Sequence, residues 1–401
     1  MGEREFVALM AMMQALLALS IDIMLPALGV ISQDLGVRDA NDRQLIVGVY
    51  LIGSGLGTLF PGAIGDRFGR KPVVIVCLTC YFVLSLGCVM ASNFTMLLTF
   101  RLLMGIFTAG LLVIPLAIIR DRFSGDRMAR AQSLVTMVFM IVPMLAPSLG
   151  QAVMWVAGWR GIFGATTALS ILLLAWTWAR LPETLKPENV QTVRPMAILR
   201  NMRTTLVCRE ANGYFIGAAL IQASVFGYIN SSQQLVAEHF GAGDAFPLIF
   251  GAMALTIALA NFGNSRIVER FGTRRVSHTA LFAFIGLTAI HLAVALSGRE
   301  VLIHFIVLMS ISMCLLAFMG ANFQAVALQP FAHIAGAAAS VQSFFRMIGG
   351  AVIGIAIGQA YDATPRPMVL SMLIAGIGAL LAILYSERGR LFRRLHYPSD
   401  E

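Results

Sequence analysis

The stretch Gly62-Ala63-Ile64-Gly65-Asp66-Arg67-Phe68-Gly69-Arg70-Lys71-Pro72 emerges from the apolar run Gln44–Ile64 and leads into another, Val73–Met90. Asp66, Arg67, Arg70 and Lys71 cannot rest in hydrocarbon, so a tight charged turn between two membrane spans is expected. Pro72 is placed at the start of the following helix, where its missing N–H costs nothing. A weaker copy, Glu269-Arg270-Phe271-Gly272-Thr273-Arg274, stands at the same place in the second half of the chain. One such turn reads equally well as a positive-inside anchor. A copy in each half points instead to internal duplication and to a bundle of two like halves.

Composition sets the class. Of 401 residues 58% are hydrophobic and 12% charged, against about 25% charged in soluble chains. Twelve runs approach or exceed the roughly 20 residues that span a bilayer: 6–30, 44–64, 73–91, 95–119, 133–156, 162–181, 211–235, 246–267, 276–296, 301–328, 336–360 and 367–386. The expected fold is all-α, twelve transmembrane helices in two pseudo-symmetric six-helix bundles. Residues 1–181 form the first bundle, 182–210 a cytoplasmic linker, 211–386 the second bundle and 387–401 a cytoplasmic tail. The first run exceeds signal-peptide length without a small-residue cleavage site, so it reads as a retained span.

The net charge of +9 is a matter of topology. Most of the 29 basic residues sit in alternate loops, with only Arg38, Arg43, Arg160, Arg299 and Arg366 on the opposite side, which places both termini inside. No basic patch gathers on one face, so a nucleic-acid partner is excluded. The five cysteines form no disulfide framework, and Cys77-x-x-Cys80 lies within a span without redox or zinc context. No metal-ligand spacing and no phosphate-cradling Gly-rich loop occurs, so no cofactor, metal or enzymatic constellation is expected. The six histidines lie at loop edges, and most read as bystanders, with His291 and His304 next in line as proton carriers after Asp22.

Charge inside the spans is sparse. Gln14, Ala18 and Asp22 share one helix face, and Asp22 is the only acid within an expected span. A carboxylate at that depth is functional by default; the alternative is a hydrated cap at the outer helix end. Arg101 lies about 18 residues from the end near Ile119 and Asp22 about 16 from Phe6, depths that agree within about a turn at about 1.5 Å per residue. Pairing would relieve both charges, whereas an unpaired Arg101 would snorkel outward. Gly53 and Gly57 form a small-residue face for close helix contact, and Pro143-x-x-x-Pro147-x-x-Gly150 bends or loosens the fifth span. The eleventh span repeats every fourth residue as Gln342, Arg346, Gly350, Gly354 and Gly358, with Arg346 near the midplane and facing a cavity. With Gln14, Tyr50, Gln222, Phe226 and Asn322, the residues Gln342 and Arg346 are the candidate substrate contacts, at mid-membrane depth between the halves.

These motifs together resemble the major facilitator superfamily, and more closely its twelve-span drug/proton antiporters. The loop 62–71 and Arg101-x-x-x-Gly105 carry the superfamily likeness. Asp22-Ile23-Met24-Leu25-Pro26, Arg120-Asp121, Trp159-Arg160-Gly161-Ile162-Phe163, Leu181-Pro182-Glu183-Thr184-Leu185 and Gly336-Ala337-Ala338-Ala339-Ser340 look like the bicyclomycin-resistance and chloramphenicol-efflux branch. The resemblance implies a gate at Gly62, Asp66, Arg67, Gly69 and Arg70, with Arg120, Asp121, Glu269 and Arg270. It gives proton coupling to Asp22 and Arg101, and an exporter signature to Pro143, Pro147 and Gly150. The chain departs from the pattern at Ala146 and Gln151, where antiporters commonly have glycine, and at Thr58, where relatives often have glutamine. The implied function is proton-coupled efflux of small amphipathic drugs by alternating access, from a monomer in a bacterial cytoplasmic (inner) membrane. An exporter or exchanger of metabolites such as sugars or organic anions is the alternative, favoured by Arg101 and Arg346 outnumbering Asp22. A non-transporting sensor is disfavoured, since a receptor has no need of a duplicated gate.

Overall fold

The computed structural model describes residues 1–185, 203–205 and 207–392, the side chains of 126, 129 and 332–337 excepted. Most of the expected linker 182–210, and the tail after residue 392, lie outside the described residues. Every regular element among the described residues is helical, as backbone in lipid requires.

Helix α1 (Glu3–Asp22) opens with Glu3 and Glu5 in its first turn, where a carboxylate faces the positive end of the helix dipole. A 3-10 turn at Leu25–Ala27 containing Pro26 separates it from α2 (Leu28–Asp34). The helical segment Ala40–Gly57, which includes α3 (Leu45–Gly57), meets α4 (Pro61–Phe68) at 47°. The opening motif is therefore not a tight turn. It is helical through Phe68, and the reversal is made by Gly69 alone, at φ 102° and ψ 153°, a region that excludes side chains. Nor does α5 (Arg70–Val89) wait for Pro72. The Glu183 carboxylate accepts the N–H groups of Arg70 (2.9 Å) and Lys71 (3.1 Å), so the helix starts two residues earlier. Pro72 then occupies a position whose N–H would have lacked a partner in any case.

Asn93 caps α6 (Phe94–Arg122) by accepting the Met96 N–H at 2.8 Å. The 56 residues of α7 (Gly125–Arg180) are broken by Gly158 at φ 66° and ψ −175°, so this length holds two passes. The backbone keeps helical dihedrals across Pro143 and Pro147, and Gly158 is the position that departs from them. Thereafter come α8 (Arg209–Gln234), a π turn at Leu235–His239, α9 (Phe246–Phe271), α10 (Thr273–Leu296), α11 (Leu302–Leu328), α12 (Ala335–Gln359) and α13 (Arg366–Ser386). Gly272, at φ 84° and ψ 149°, opens α10 as Gly69 opens α5.

All twelve apolar runs fall on these helices. Among the described residues nine segments are long and apolar enough to cross a membrane, and ten with the bent pair α3–α4. The long α7 counts there as one segment, and α8, which carries Asn212, Gln222 and the polar run 230–234, is not among them. By contact the chain divides into a first unit, Met1–Pro195 with Ser232–Ala254, and a second, Met196–Ser231 with Leu255–Glu401.

Lipid tails are as apolar as leucine, so helices here associate by close packing rather than by escape from water. In the first unit a Cβ added at Gly53 would overlap the Leu102 carbonyl oxygen, one at Gly57 that of Ile106, and one at Gly105 that of Tyr50. Helices α3 and α6 thus touch backbone to backbone. Gly150 does the same for α7, since a Cβ there would overlap the Ile23 carbonyl oxygen just past the end of α1. In the second unit Gly350 and Gly354 of α12 receive the side chains of Gln222 and Phe226 from α8.

Candidate functional site

Close contact between α3 and α6 brings Arg101 under the end of α1. Its side chain is fully buried, with Nε donating to the Ile46 carbonyl at 3.1 Å and Nη1 to the Ser20 carbonyl at 3.1 Å. Its guanidinium carbon lies 4.2 Å from the centre of the Tyr50 ring, a cation–π stack. Asp22 is buried two residues beyond Ser20, and its Oδ1 has no hydrogen-bond partner. The expected Asp22–Arg101 pair does not form among the described residues: Arg101 gives Nε and Nη1 to two carbonyls and its face to one ring, while its Nη2 is left unbonded. Ser20 Oγ shares a hydrogen bond of 2.6 Å with the Tyr81 hydroxyl and donates to the Leu16 carbonyl. Gln14 is buried two turns before Asp22, with a long bond of 3.5 Å to the Leu112 carbonyl. Tyr50, expected among the substrate contacts, is completely buried here beneath Arg101.

The loop motif forms a second cluster. Arg70 is buried, and it pairs with Asp66 one helical turn back and with Asp121 at 3.1 Å. Thr184 donates to the same Asp121 oxygen at 3.3 Å, while Lys71 Nζ reaches the Trp178 carbonyl at 2.8 Å. The chain following α7 is thereby fastened to the start of α5. Gly69 is required at this junction, since a Cβ would meet the Glu183 carboxylate. Gly62 is under no such constraint, with only ordinary contact to Val113. Arg67 is exposed and stacks over Phe68 at 5.1 Å, and Arg120 is exposed as well.

In the second unit the echo continues. Arg270 stacks over Phe271 at 5.4 Å, as Arg67 does over Phe68, and Glu269 and Arg270 are exposed. The carboxylate at the end of the last span, Glu387, accepts from Arg274 Nε at 2.8 Å and from the Tyr214 hydroxyl at 2.7 Å. Glu183 and Glu387 therefore follow the sixth and twelfth apolar runs and hold the corresponding loops.

Of the polar residues expected to face substrate, Gln222 accepts a hydrogen bond from Arg346 Nη1. Arg346 Nε remains without a partner, as do both polar atoms of buried Gln342 one turn earlier. Phe226 packs beside them on Gly350 and Gly354. Asn322 is engaged elsewhere, donating to Asn264 at 2.9 Å and to the Phe318 carbonyl at 2.8 Å.

The chain as a whole has relatives among known proteins. A profile described as Major Facilitator Superfamily matches residues 10–354. The chain belongs to the Major Facilitator Superfamily. It is 27% identical over 395 residues to the bicyclomycin resistance protein homolog of Haemophilus influenzae, covering 95% of each chain. It is 29% identical over 358 residues to the multidrug resistance protein MdtL of Klebsiella pneumoniae, covering 88% of each. In fold it is similar to the crystal structure of the D-xylose–proton symporter, with a TM-score of 0.73, 16% identity and coverage of 95% of this chain and 97% of that one. The human organic anion transporter MFSD10 matches with a TM-score of 0.69 at 17% identity, covering 96% of this chain and all of that one.

Several residues of this superfamily member were not singled out by sequence reasoning. Ser20 and Tyr81 join the Arg101 cluster, and Glu183 and Glu387 hold the loops. In the first unit Arg43 pairs with Glu238, Gln44 bonds Gln234, and Gln234 donates to Asn41 at 3.2 Å. The histidines are not all bystanders. Buried His278 bonds the Tyr214 hydroxyl, and buried His291 pairs with Glu300 at 2.8 Å, a carboxylate just before α11 that is itself almost fully enclosed. Only Glu183 carried a sequence signal, through its place in the Leu181–Leu185 motif.

Proposed function

We propose that this chain is a proton-coupled multidrug exporter, a drug/proton antiporter that moves small amphipathic compounds by alternating access. It works as a monomer in a bacterial cytoplasmic membrane with both termini inside. The observation that carries this reading is Asp22, a buried carboxylate with an unbonded oxygen at the end of α1. Arg101 grips the Ser20 carbonyl of the same helix turn, so a change of charge at Asp22 acts on a segment already tied to α3 and α6. Asp22 is the proton carrier in this reading, loading on one side of the membrane and unloading on the other. Gln222, Gln342 and Arg346 supply the polar contacts for substrate, and the unbonded polar atoms of Gln342 and Arg346 support that role. The relatives named for bicyclomycin resistance and multidrug resistance support export as the direction. Asp66, Arg70 and Asp121, with Arg67, Arg120, Glu269 and Arg270 on the loop surfaces, act on the rocking equilibrium rather than on substrate contacts.

A second reading, exchange of organic anions, is favoured by the free Nε of Arg346. Flux in proteoliposomes under an imposed pH gradient tests both. Uphill movement of neutral and cationic drugs that vanishes in Asp22→Asn supports the antiporter. Movement confined to anions and indifferent to Asp22→Asn supports the exchanger.

A further inference from the structure

In the second unit a cavity of about 700 Å³ lies among α9, α10 and α11, away from Gln342 and Arg346. Its walls include Phe271, Thr279, Ala283, Phe318 and Phe392, and Arg275 is its one charged lining residue among the described residues. Phe271 and Phe392 are among the exposed large apolar side chains, so the cavity is rimmed by apolar surface of the kind a lipid chain covers. From Arg275 to Ala283 the wall runs eight residues along α10, about 12 Å, within the roughly 15 Å of one hydrocarbon leaflet. An occupant that fits is elongated and apolar, and carries an anion at one end.

Arg275 supplies the partner for that anion. Its Nε donates to the Phe392 carbonyl at 3.1 Å. Its guanidinium side is exposed and makes no other hydrogen bond among the described residues. Phe392 is held in place at φ 62° by two further contacts: its N–H donates to His278 Nδ1 at 3.1 Å, and its ring stacks on Phe282 at 6.0 Å. A non-glycine residue held at positive φ is a placed residue. The turn before it exposes Arg388 and Arg390, which add positive charge near the mouth and draw anionic lipid to a membrane surface.

We propose that this cavity binds one acyl chain of an anionic phospholipid, with its phosphate on Arg275. That the lipid comes from the cytoplasmic leaflet rests on the topology proposed above; the contact itself does not. An uncharged drug would leave the arginine at the mouth without a role, and a lipid without a phosphate, such as diacylglycerol, would use the walls but not the guanidinium.

Native mass spectrometry of the purified full chain, titrated with phosphatidylglycerol and a diacylglycerol of the same acyl chains, tests this. The wild type is expected to retain one phosphatidylglycerol about tenfold more tightly than the diacylglycerol. Arg275→Ala should abolish that preference and Arg275→Lys should keep most of it. Ala283→Trp, which obstructs the cavity, should release either lipid while the thermal unfolding midpoint confirms a folded chain. Equal retention by wild type, Arg275→Ala and Ala283→Trp would overturn the proposal. So would equal affinity of the wild type for the two lipids, or occupancy by an uncharged drug that excludes lipid. None of these readings measures transport, so their failure and a failure of proton-coupled export are separable.

Discussion

Arg101→Lys separates two accounts of the buried arginine. If a positive charge near Asp22 were all that mattered, lysine would serve. The structure instead uses the fork, with one bond each to Ile46 and Ser20 at 3.1 Å and a planar face 4.2 Å from the Tyr50 ring centre. A single ammonium on a shorter, rounder head cannot hold both carbonyls and stack as well. Losing one charge-assisted hydrogen bond removes about 1.5–3 kcal/mol, and weakening the cation–π contact removes about 0.5–2 kcal/mol. These overlap, so the net loss is about 2–4 kcal/mol. Scaled to a chain of this size, that lowers the unfolding midpoint by about 2–5 °C. The assay is thermal unfolding in detergent, paired with pH-gradient-driven flux in proteoliposomes. The expected result is a fall in both. Full stability and full flux in Arg101→Lys would refute the fork and restore the charge-only account.

Asp22→Asn should bind neutral substrates with unchanged affinity and lose uphill transport while keeping downhill exchange; retained uphill transport would move the proton to another group, with the buried His291–Glu300 pair first in line. Gly105→Val should fail to give a monodisperse protein on size-exclusion chromatography, because its side chain would overlap the Tyr50 carbonyl oxygen, and normal yield with normal flux would contradict the helix contact. Glu387→Gln should destabilise by about 3 kcal/mol, since Arg274 would be left without its enclosed carboxylate; an unchanged unfolding midpoint would count against it. Gln342→Ala should raise the KM for transported drugs with little change in kcat, and the reverse pattern would place Gln342 outside the substrate path.

The spans were legible because a bilayer imposes one length and one composition on each of them, and all twelve runs fall on helix. The echo of the loop was legible for the same reason that it recurs in space: only glycine accepts the backbone of Gly69 and Gly272. What surrounds Arg101 was not. Its partners are carbonyl groups, which every residue possesses, so no residue type announces them. The tasks of Glu183 and Glu387 were not legible, because a carboxylate after a span looks like any solvated charge until the loop it holds is known. Tyr50 was read as lining a substrate path from its polarity, yet its ring serves as the floor beneath a guanidinium.

Helices α3 and α6 form a joint with no bearing between its faces. At Gly53, Gly57 and Gly105 a carbonyl oxygen of one helix fills the space a methyl group would need on the other. Such a seam cannot slide or shear, so the two helices travel as a single beam, and Arg101 and Tyr50 ride on it together. Compliance has to come from the ends of that beam. Thr58–Phe60, where the axis already turns by 47°, and Gly69, where no side chain stiffens the backbone, are the flexures nearest the charged loop. Any stroke of this machine that reaches Asp22 therefore reaches it by moving α1 against a rigid frame.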